Sequence, residues 1–341
     1  MPISGDWVTV GIDNGGTTNN GTVLDSSGRF LVTEMAELPS LVREGPEKAI
    51  PALADSFDKV LEMTGLPRES VRAVGLDTPG PASADGVLVT GGATNFGHAD
   101  WSRFNIRAAL EERLGIPVIY NNDGNAAALY AHHVRHGADA WERSSVSAIV
   151  GTGFGGGVIN DGRIIKGASG MAGELGHMSI PMIGLLEPDQ PLPACNCGGF
   201  ADAESVASLT GITRNLLPYW LTRFPGHELA QLDIAKAGKL VRSYAERGDE
   251  MSLAIFRQQA IAMGHVFSIA AKFTDPDTYF IGGGVIEAAP HFRDWFLDTV
   301  KEHTAFYPEQ AEIAEITLVP DLDMAGARGS AIAAAAWVNA Q

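Results

Sequence analysis

Four short stretches of this 341-residue chain carry side chains that could do chemistry. The first is Asp13-Asn-Gly15-Gly16-Thr17-Thr. Its two glycines let the backbone turn sharply and come close to a ligand. Their N–H groups and the Thr17 hydroxyl are donors suited to phosphate oxygens. Asp13 repels phosphate directly but suits Mg²⁺, which binds through a carboxylate or two, waters and substrate phosphates. The second stretch, Gly151-Thr152-Gly153-Phe-Gly-Gly-Gly157, supplies an opposing donor loop. The third, Ile281-Gly282-Gly283-Gly284, follows a strand-like run and would let a nucleotide lie against bare backbone. None of them is a G-x-x-x-x-G-K-[ST] loop or a clear dinucleotide fingerprint. Turns need glycine in any case, so the weight rests on the three loops together.

The fourth stretch, Tyr120-Asn121-Asn122-Asp123, joins a strand to a helix. One reading is a helix N-cap, which Asn and Asp favour. The other is a polyol site. Side-chain amides donate to and accept from hydroxyls, and the carboxylate takes a proton. A further segment, Ala194 to Glu204, holds both cysteines of the chain, Cys195 and Cys197. Two thiols so close look like half of a metal site, and Asp202 stands where a third cysteine would be expected. A substituted zinc site, a broken one and an ordinary loop are all compatible with that pattern.

Helices and short strands must position these groups. Residues 46–65, 104–116, 124–138 and 250–273 carry apolar side chains at helical spacing, the first ending in Gly65. Runs such as WVTVGI, GTVLD, RFLVTEMAEL, VRAVGLD, PVIYNND, SVSAIVGTG, TYFIGG and EITLVP are short and rich in Val, Ile and Thr, and read as strands. Strands come first as hairpins and then alternate with helices, as in α/β domains with mixed sheets. The segment starting near residue 7 resembles the one near 145: strand, Gly/Thr turn, strand, Gly-Arg turn, strand. Such a repeat suggests two related domains.

A formal net charge of −17 argues against nucleic acid and against an anionic membrane surface. No apolar run is long enough to span a membrane. The first residues show neither a basic region nor an apolar core of an export signal, so a cytoplasmic location is expected.

In order and spacing, these motifs resemble the ROK family of repressors, open reading frames and sugar kinases, within the actin/hexokinase-like superfamily. The likeness covers nearly the whole chain. Residues 13–18 resemble the family's first phosphate motif, and 121–129 its catalytic-aspartate motif. Residues 151–180 resemble the second phosphate segment, 195–204 the zinc motif, and 280–284 the adenosine loop. The resemblance implies a two-domain actin-like ATPase (ribonuclease H-like) fold with mixed sheets and an interdomain cleft. The smaller domain would run to about residue 120, with a C-terminal helix from about 322 packing back on it. The larger would span about 121–321. The implied reaction transfers a phosphoryl group from ATP–Mg²⁺ to a sugar hydroxyl, usually the 6-OH of a hexose, as in glucokinases.

By the same resemblance Asp123 is the base and Asn122 holds adjacent hydroxyls. Asn95, Glu174 and Glu204 bind the sugar, and Gly80 brings backbone close to it. His177 bridges sugar and metal sites. Thr17 and Thr152 face phosphates. Gly151, Gly153, Gly282, Gly283 and Gly284 line the nucleotide. His177, Cys195, Cys197 and Asp202 form the implied zinc set, carboxylate oxygen being a legitimate zinc ligand. A homodimer or homotetramer is also implied. His132, His133 and His136 fit no metal motif and read as helix-surface or groove residues. Two departures stand out: Asp202 for cysteine, and Thr18-Asn19-Asn20 where the family often has lysine. Mannose, fructose, allose, N-acetylmannosamine and cyclitols compete with glucose as substrate. A catalytically silent sugar-binding module and a kinase that takes polyphosphate as donor compete with the ATP-dependent enzyme. A repressor would carry a DNA-binding segment for which the first strand leaves no room.

Overall fold

The computed structural model describes residues 7–79, 83, 85–88, 96–320 and 324–341. Its strands are β1 Val8–Asn14, β2 Thr18–Asp25, β3 Ala36–Pro39, β4 Val71–Thr78, β5 Val118–Asn122, β6 Ser145–Val150, β7 Phe154–Asn160, β8 Arg163–Ile164, β9 Thr278–Gly283 and β10 Glu315–Leu318. Its helices are α1 Pro46–Thr64, α2 Ile106–Leu114, α3 Asp123–His136, α4 Glu204–Ala207, α5 Leu209–Gly211, α6 Leu217–Arg223, α7 Ile234–Ala245, α8 Glu250–Phe273, α9 Pro290–Glu302, α10 Pro308–Ile313 and α11 Ala325–Asn339. The chain divides into two units. One comprises Met1–Trp141, Gly157–Gly173 and Pro320–Gln341, the other Glu142–Gly156 and Glu174–Val319.

In the first unit the sheet order is β3-β2-β1-β4-β5. β1 runs antiparallel to β2 and parallel to β4, and β4 is parallel to β5. The apolar stripes of α1 and α2 are buried in one core with Val10, Ile12 and Leu76. On the other face lies α11, whose alanines and glycines let it press onto backbone. Gly11 and Gly75 are paired in register beneath it. A Cβ on Gly11 would sit 1.9 Å from the Ala327 carbonyl oxygen, and one on Gly75 1.8 Å from that of Ser330. This close seat matters for the site. Two residues further on, Asp13 pairs with Asp77, and the side-chain alternation of strands brings both to the α11 face.

The second unit is built on β6, β9 and β10, with β9 parallel to both neighbours. The full order of this sheet is β10-β9-β6-β7-β8, and β7 continues into the first unit. Aromatic residues of α8, α9 and β9 fill its core, among them Phe267, Phe280, Phe292 and Phe296. The N-caps follow the expected chemistry: Asp249 Oδ1 accepts from Ser252 N–H (2.8 Å) at the start of α8.

Both segments of the sequence repeat open on two strands, β1–β2 and β6–β7, but only the second has a strand, β8, after its Gly-Arg turn. The strand expected over RFLVTEMAEL is cut to Ala36–Pro39. Phe30 makes only an isolated bridge to Leu24 and packs edge-on to Tyr130 (6.2 Å between ring centres), while Thr33, Glu34 and Met35 are exposed. His132 also departs from the surface reading. It is fully buried, with Nε2 2.7 Å from the Ala140 carbonyl oxygen. No described helix is long and apolar enough to cross a membrane.

Candidate functional site

The first unit brings Asp13 and Asp123 within electrostatic reach of one another. Asp13 is the penultimate residue of β1, before the Gly15–Thr17 turn, which is closed by a Gly15 N–H to Thr18 carbonyl bond of 2.9 Å. Burial pushes the Asp13 carboxyl up to about 6, partly offset by a bond from Asn20, while the Asp123 charge adds to the rise. Asp123 opens α3. It is exposed to solvent yet closely surrounded by protein, and that loss of hydration raises its carboxyl above 3.8 against the lowering effect of the Gly124 N–H. Asn122 is the N-cap, its Oδ1 accepting from Asn125 N–H at 2.7 Å. The cap and polyol readings are therefore compatible, since the Asn122 amide still has its NH₂ to offer.

A stability prediction follows from Asp13. Its folded-state pKa is raised, so the ionised form costs stability above about 6, and the cost fades as pH falls toward 3.8. Asp13→Asn should stabilise the fold at pH 7 by about 1–3 kcal/mol, with the gain lost below pH 4, while turnover drops. Denaturant unfolding at the two pH values measures it.

In the second unit the Gly151–Gly153 turn is held from α5. Leu209 N–H donates to the Gly151 carbonyl (2.9 Å) and the Thr210 hydroxyl to that of Thr152 (2.7 Å). Gly283 ends β9 at φ 92°, and a Cβ there would strike the Val150 carbonyl oxygen at 1.9 Å. Together the loops line a cavity of about 290 Å³. Gly151, Thr152, Gly282 and Gly284 form part of its wall. Val150, Ile212, Phe256 and Val285 supply apolar surface, and Lys239, Arg242 and Gln259 the polar groups. Those last residues escape a reading of the sequence because their spacing on α7 and α8 looks like ordinary packing and surface.

The metal-type segment converges. His177, Cys195, Cys197 and Asp202 each offer a ligand atom, all within 4.8 Å of one another. His177 Nδ1 lies 3.3 Å from Asp202 Oδ2 and 3.7 Å from Cys195 Sγ, and Cys197 Sγ lies 3.6 Å from Asp202 Oδ2. A tetrahedron with Zn–S near 2.3 Å and Zn–N or Zn–O near 2.0 Å has edges of about 3.3–3.8 Å, and these three separations match it. Burial raises the Asp202 carboxyl, but hydrogen bonds from Cys195, Ser205 and His177 outweigh it and leave it below 3.8. Asp202 thus stays anionic, as a ligand must. Burial, then the nearby Asp202 carboxylate, push the Cys195 thiol far up. Cys195 Sγ also lies 3.6 Å from Glu204 Oε1, and Glu204 Oε2 accepts from Phe154 N–H at 2.8 Å. Glu204 therefore links the cluster to the start of β7.

Glu174 precedes the short turn Leu175–His177, and His177 is partly exposed. The Pro-rich stretch before the cysteines is a loop pinned by buried Gln258, which donates to Leu185 O (3.0 Å) and Gln190 Oε1 (2.6 Å). Gly80 and Asn95 lie outside the described residues. The residue most plainly missed is Asp77. Its only signal was a carboxylate ending the apolar run VRAVGLD.

The ROK family model matches residues 9–337. A glucokinase of Halalkalibacterium halodurans is 33% identical over 315 residues, 91% of this chain and 89% of that protein. An N-acetyl-D-glucosamine kinase of Escherichia coli is 32% identical over 259 residues, covering 70% and 76%. Among solved structures, a ROK hexokinase from Thermus thermophilus superposes with a TM-score of 0.77 at 28% identity, covering 98% of this chain and all of that one. A ROK glucokinase from Streptomyces griseus in complex with glucose and AMPPNP gives 0.63 at 26% identity, covering 96% and 99%. Two mixed five-stranded sheets with these relatives define a two-domain actin-like ATPase fold that serves a sugar phosphotransferase. The chain belongs to the ROK family.

Proposed function

We propose that this sugar kinase transfers the γ-phosphoryl group of ATP to a hexose hydroxyl, the 6-OH of glucose being the first choice. The observation that carries the reading is Asp123: accessible, poorly hydrated, at a helix start, with the Asn122 amide beside it. A base of raised pKa is better matched to accepting a hydroxyl proton than an ordinary carboxylate. Phosphoryl transfer otherwise needs positioning and charge neutralisation. Thr17 and the Gly15–Gly16 turn would donate to phosphate oxygens, and the motifs assign the same role to the Gly151–Gly153 turn. Mg²⁺, when bound, neutralises phosphate charge, and Asp13 is the carboxylate to hold it. The cavity flanked by Gly151, Thr152, Gly282 and Gly284 suits a purine nucleoside, which favours ATP over polyphosphate.

For the sugar, Asn122, Glu174, His177, Glu204, Gly80 and Asn95 are contacts assigned from the motifs. Zinc at His177, Cys195, Cys197 and Asp202 would hold His177 and Glu204 in place rather than take part in transfer. An N-acetylhexosamine is the second reading, favoured by the 32% identity to the Escherichia coli enzyme. A coupled ADP-release panel over hexoses, N-acetylhexosamines and cyclitols tests both. Glucose giving the highest kcat/KM is the expected result. A preference of tenfold or more for an N-acetylated sugar, about 1.4 kcal/mol in transition-state binding, replaces glucose with it.

A further inference from the structure

Four polar residues stand in one row across the first sheet. Asn20 of β2 pairs with Asp13 of β1, Asp13 with Asp77 of β4, and Asp77 with Asn121 of β5. Register-paired residues share a face, so all four side chains lie on the side that carries α11. Asp77 and Asn121 are deeply buried, at 0% and 2% exposure.

Their hydrogen bonding is incomplete. Asp77 Oδ1 accepts from the Ser330 hydroxyl at 3.0 Å, but its Oδ2 has no partner among the described residues. Among the same residues neither amide atom of Asn121 has one, nor does Asn20 Oδ1. Buried polar atoms without partners are costly and call for water, an ion or a ligand. No Lys or Arg forms an ion pair with Asp13, Asp77 or Asp123 among the described residues, although Asp13 and Asp123 both act on Asp77 electrostatically.

The two carboxylates converge. A Cβ placed on Gly326, in the first turn of α11, would lie 2.8 Å from Asp77 Oδ2 and 2.9 Å from Asp13 Oδ2. Glycine alone leaves that space open. Neighbouring strands are about 4.8 Å apart, a spacing at which paired carboxylates can share one cation.

We propose that Asp77 and Asp13 together form a divalent-cation site that fills without nucleotide, with Asn121 and Asn20 hydrogen-bonding the ion's waters. Mg²⁺ suits it, being a hard cation that keeps several waters and takes one or two carboxylates. The site rests on the phosphotransfer reading only for its purpose: it would hold the ion ready for the phosphates. A second consequence is that the rate at saturating MgATP depends on free Mg²⁺ beyond that bound to nucleotide.

The test is a Mn²⁺ titration of the nucleotide-free protein, followed by loss of the free-ion EPR signal, with Mg²⁺ as competitor. The wild type should take up Mn²⁺, and Cys197→Ser should bind it equally, which separates this site from the cysteine cluster. Asp77→Asn should bind at least about tenfold more weakly and need correspondingly more free Mg²⁺ for half-maximal rate. If Asp77→Asn does not fold, Asn121→Leu decides, with weakened binding expected. A folded wild type that takes up no Mn²⁺, or undiminished binding in the folded variant, overturns the proposal. A wild type that phosphorylates sugars without prior Mn²⁺ uptake rejects the site and keeps the kinase. One that binds Mn²⁺ but phosphorylates nothing rejects the kinase reading and keeps the site.

Discussion

Asp123→Asn is expected to lower kcat by about 10²–10⁴-fold while leaving the sugar dissociation constant within a few-fold of wild type. The substitution keeps size and hydrogen-bonding shape but removes the proton acceptor. The Gly124 N–H that now donates to Asp123 Oδ1 at 2.8 Å can still donate to an Asn oxygen, so the start of α3 should survive. A loss confined to turnover is the signature of a group needed in the transition state. The pH profile gives a second readout. Loss of hydration raises the Asp123 carboxyl above 3.8, so the wild-type rate should fall as pH drops through that raised value rather than near 3.8. Asp123→Asn should lose that limb. Near-normal kcat in the variant removes Asp123 from the reaction.

The second large effect concerns the metal cluster. Protein purified without chelator is expected to carry zinc, measured by elemental analysis. Asp202→Ala should weaken zinc retention by roughly 10–100-fold or more. Asp202 is 3% exposed and also accepts from Ser205 N–H at 2.8 Å, so some loss of stability should accompany it. Asp202→Cys is the informative partner, because it supplies a third thiolate and should tighten zinc although the Ser205 N–H loses its carboxylate acceptor there too. Because zinc would act through His177 and Glu204, its loss should raise KM for the sugar more than it lowers kcat at saturation. Zinc-free protein with full activity and unchanged KM would end this account of the cluster.

Much of this was legible in the sequence, for identifiable physical reasons. The glycine loops announce themselves because glycine is demanded by backbone geometry, as at Gly283 with its φ of 92°. Helix α8 was readable to its ends because Asp249 caps one side and its apolar spacing runs unbroken to Phe273. The resemblance to the family's zinc motif implied His177 and Asp202 beside the cysteine pair, and the four do converge.

What stayed hidden depends on register and on long-range packing. Nothing local distinguishes Asp77 from a strand-ending carboxylate. Its significance comes from lying beside Asp13 in the parallel ladder and under a helix nearly 250 residues later in the chain. His132 was misread because helical spacing alone does not show that Ala140 turns back to cover it. The strand expected over residues 29–38 is broken because Phe30 makes only a single bridge to Leu24 and the exposed Thr33–Met35 leave the sheet before pairing resumes at Ala36.

The central claim is phosphoryl transfer from ATP to a hexose hydroxyl. ³¹P NMR of purified wild-type protein incubated with glucose, ATP and Mg²⁺ tests it most directly. The expected spectrum shows ADP growing in step with a phosphomonoester whose coupling to the C6 protons marks the 6-position. No phosphomonoester from glucose or from any sugar of the panel, with ATP intact, would contradict it.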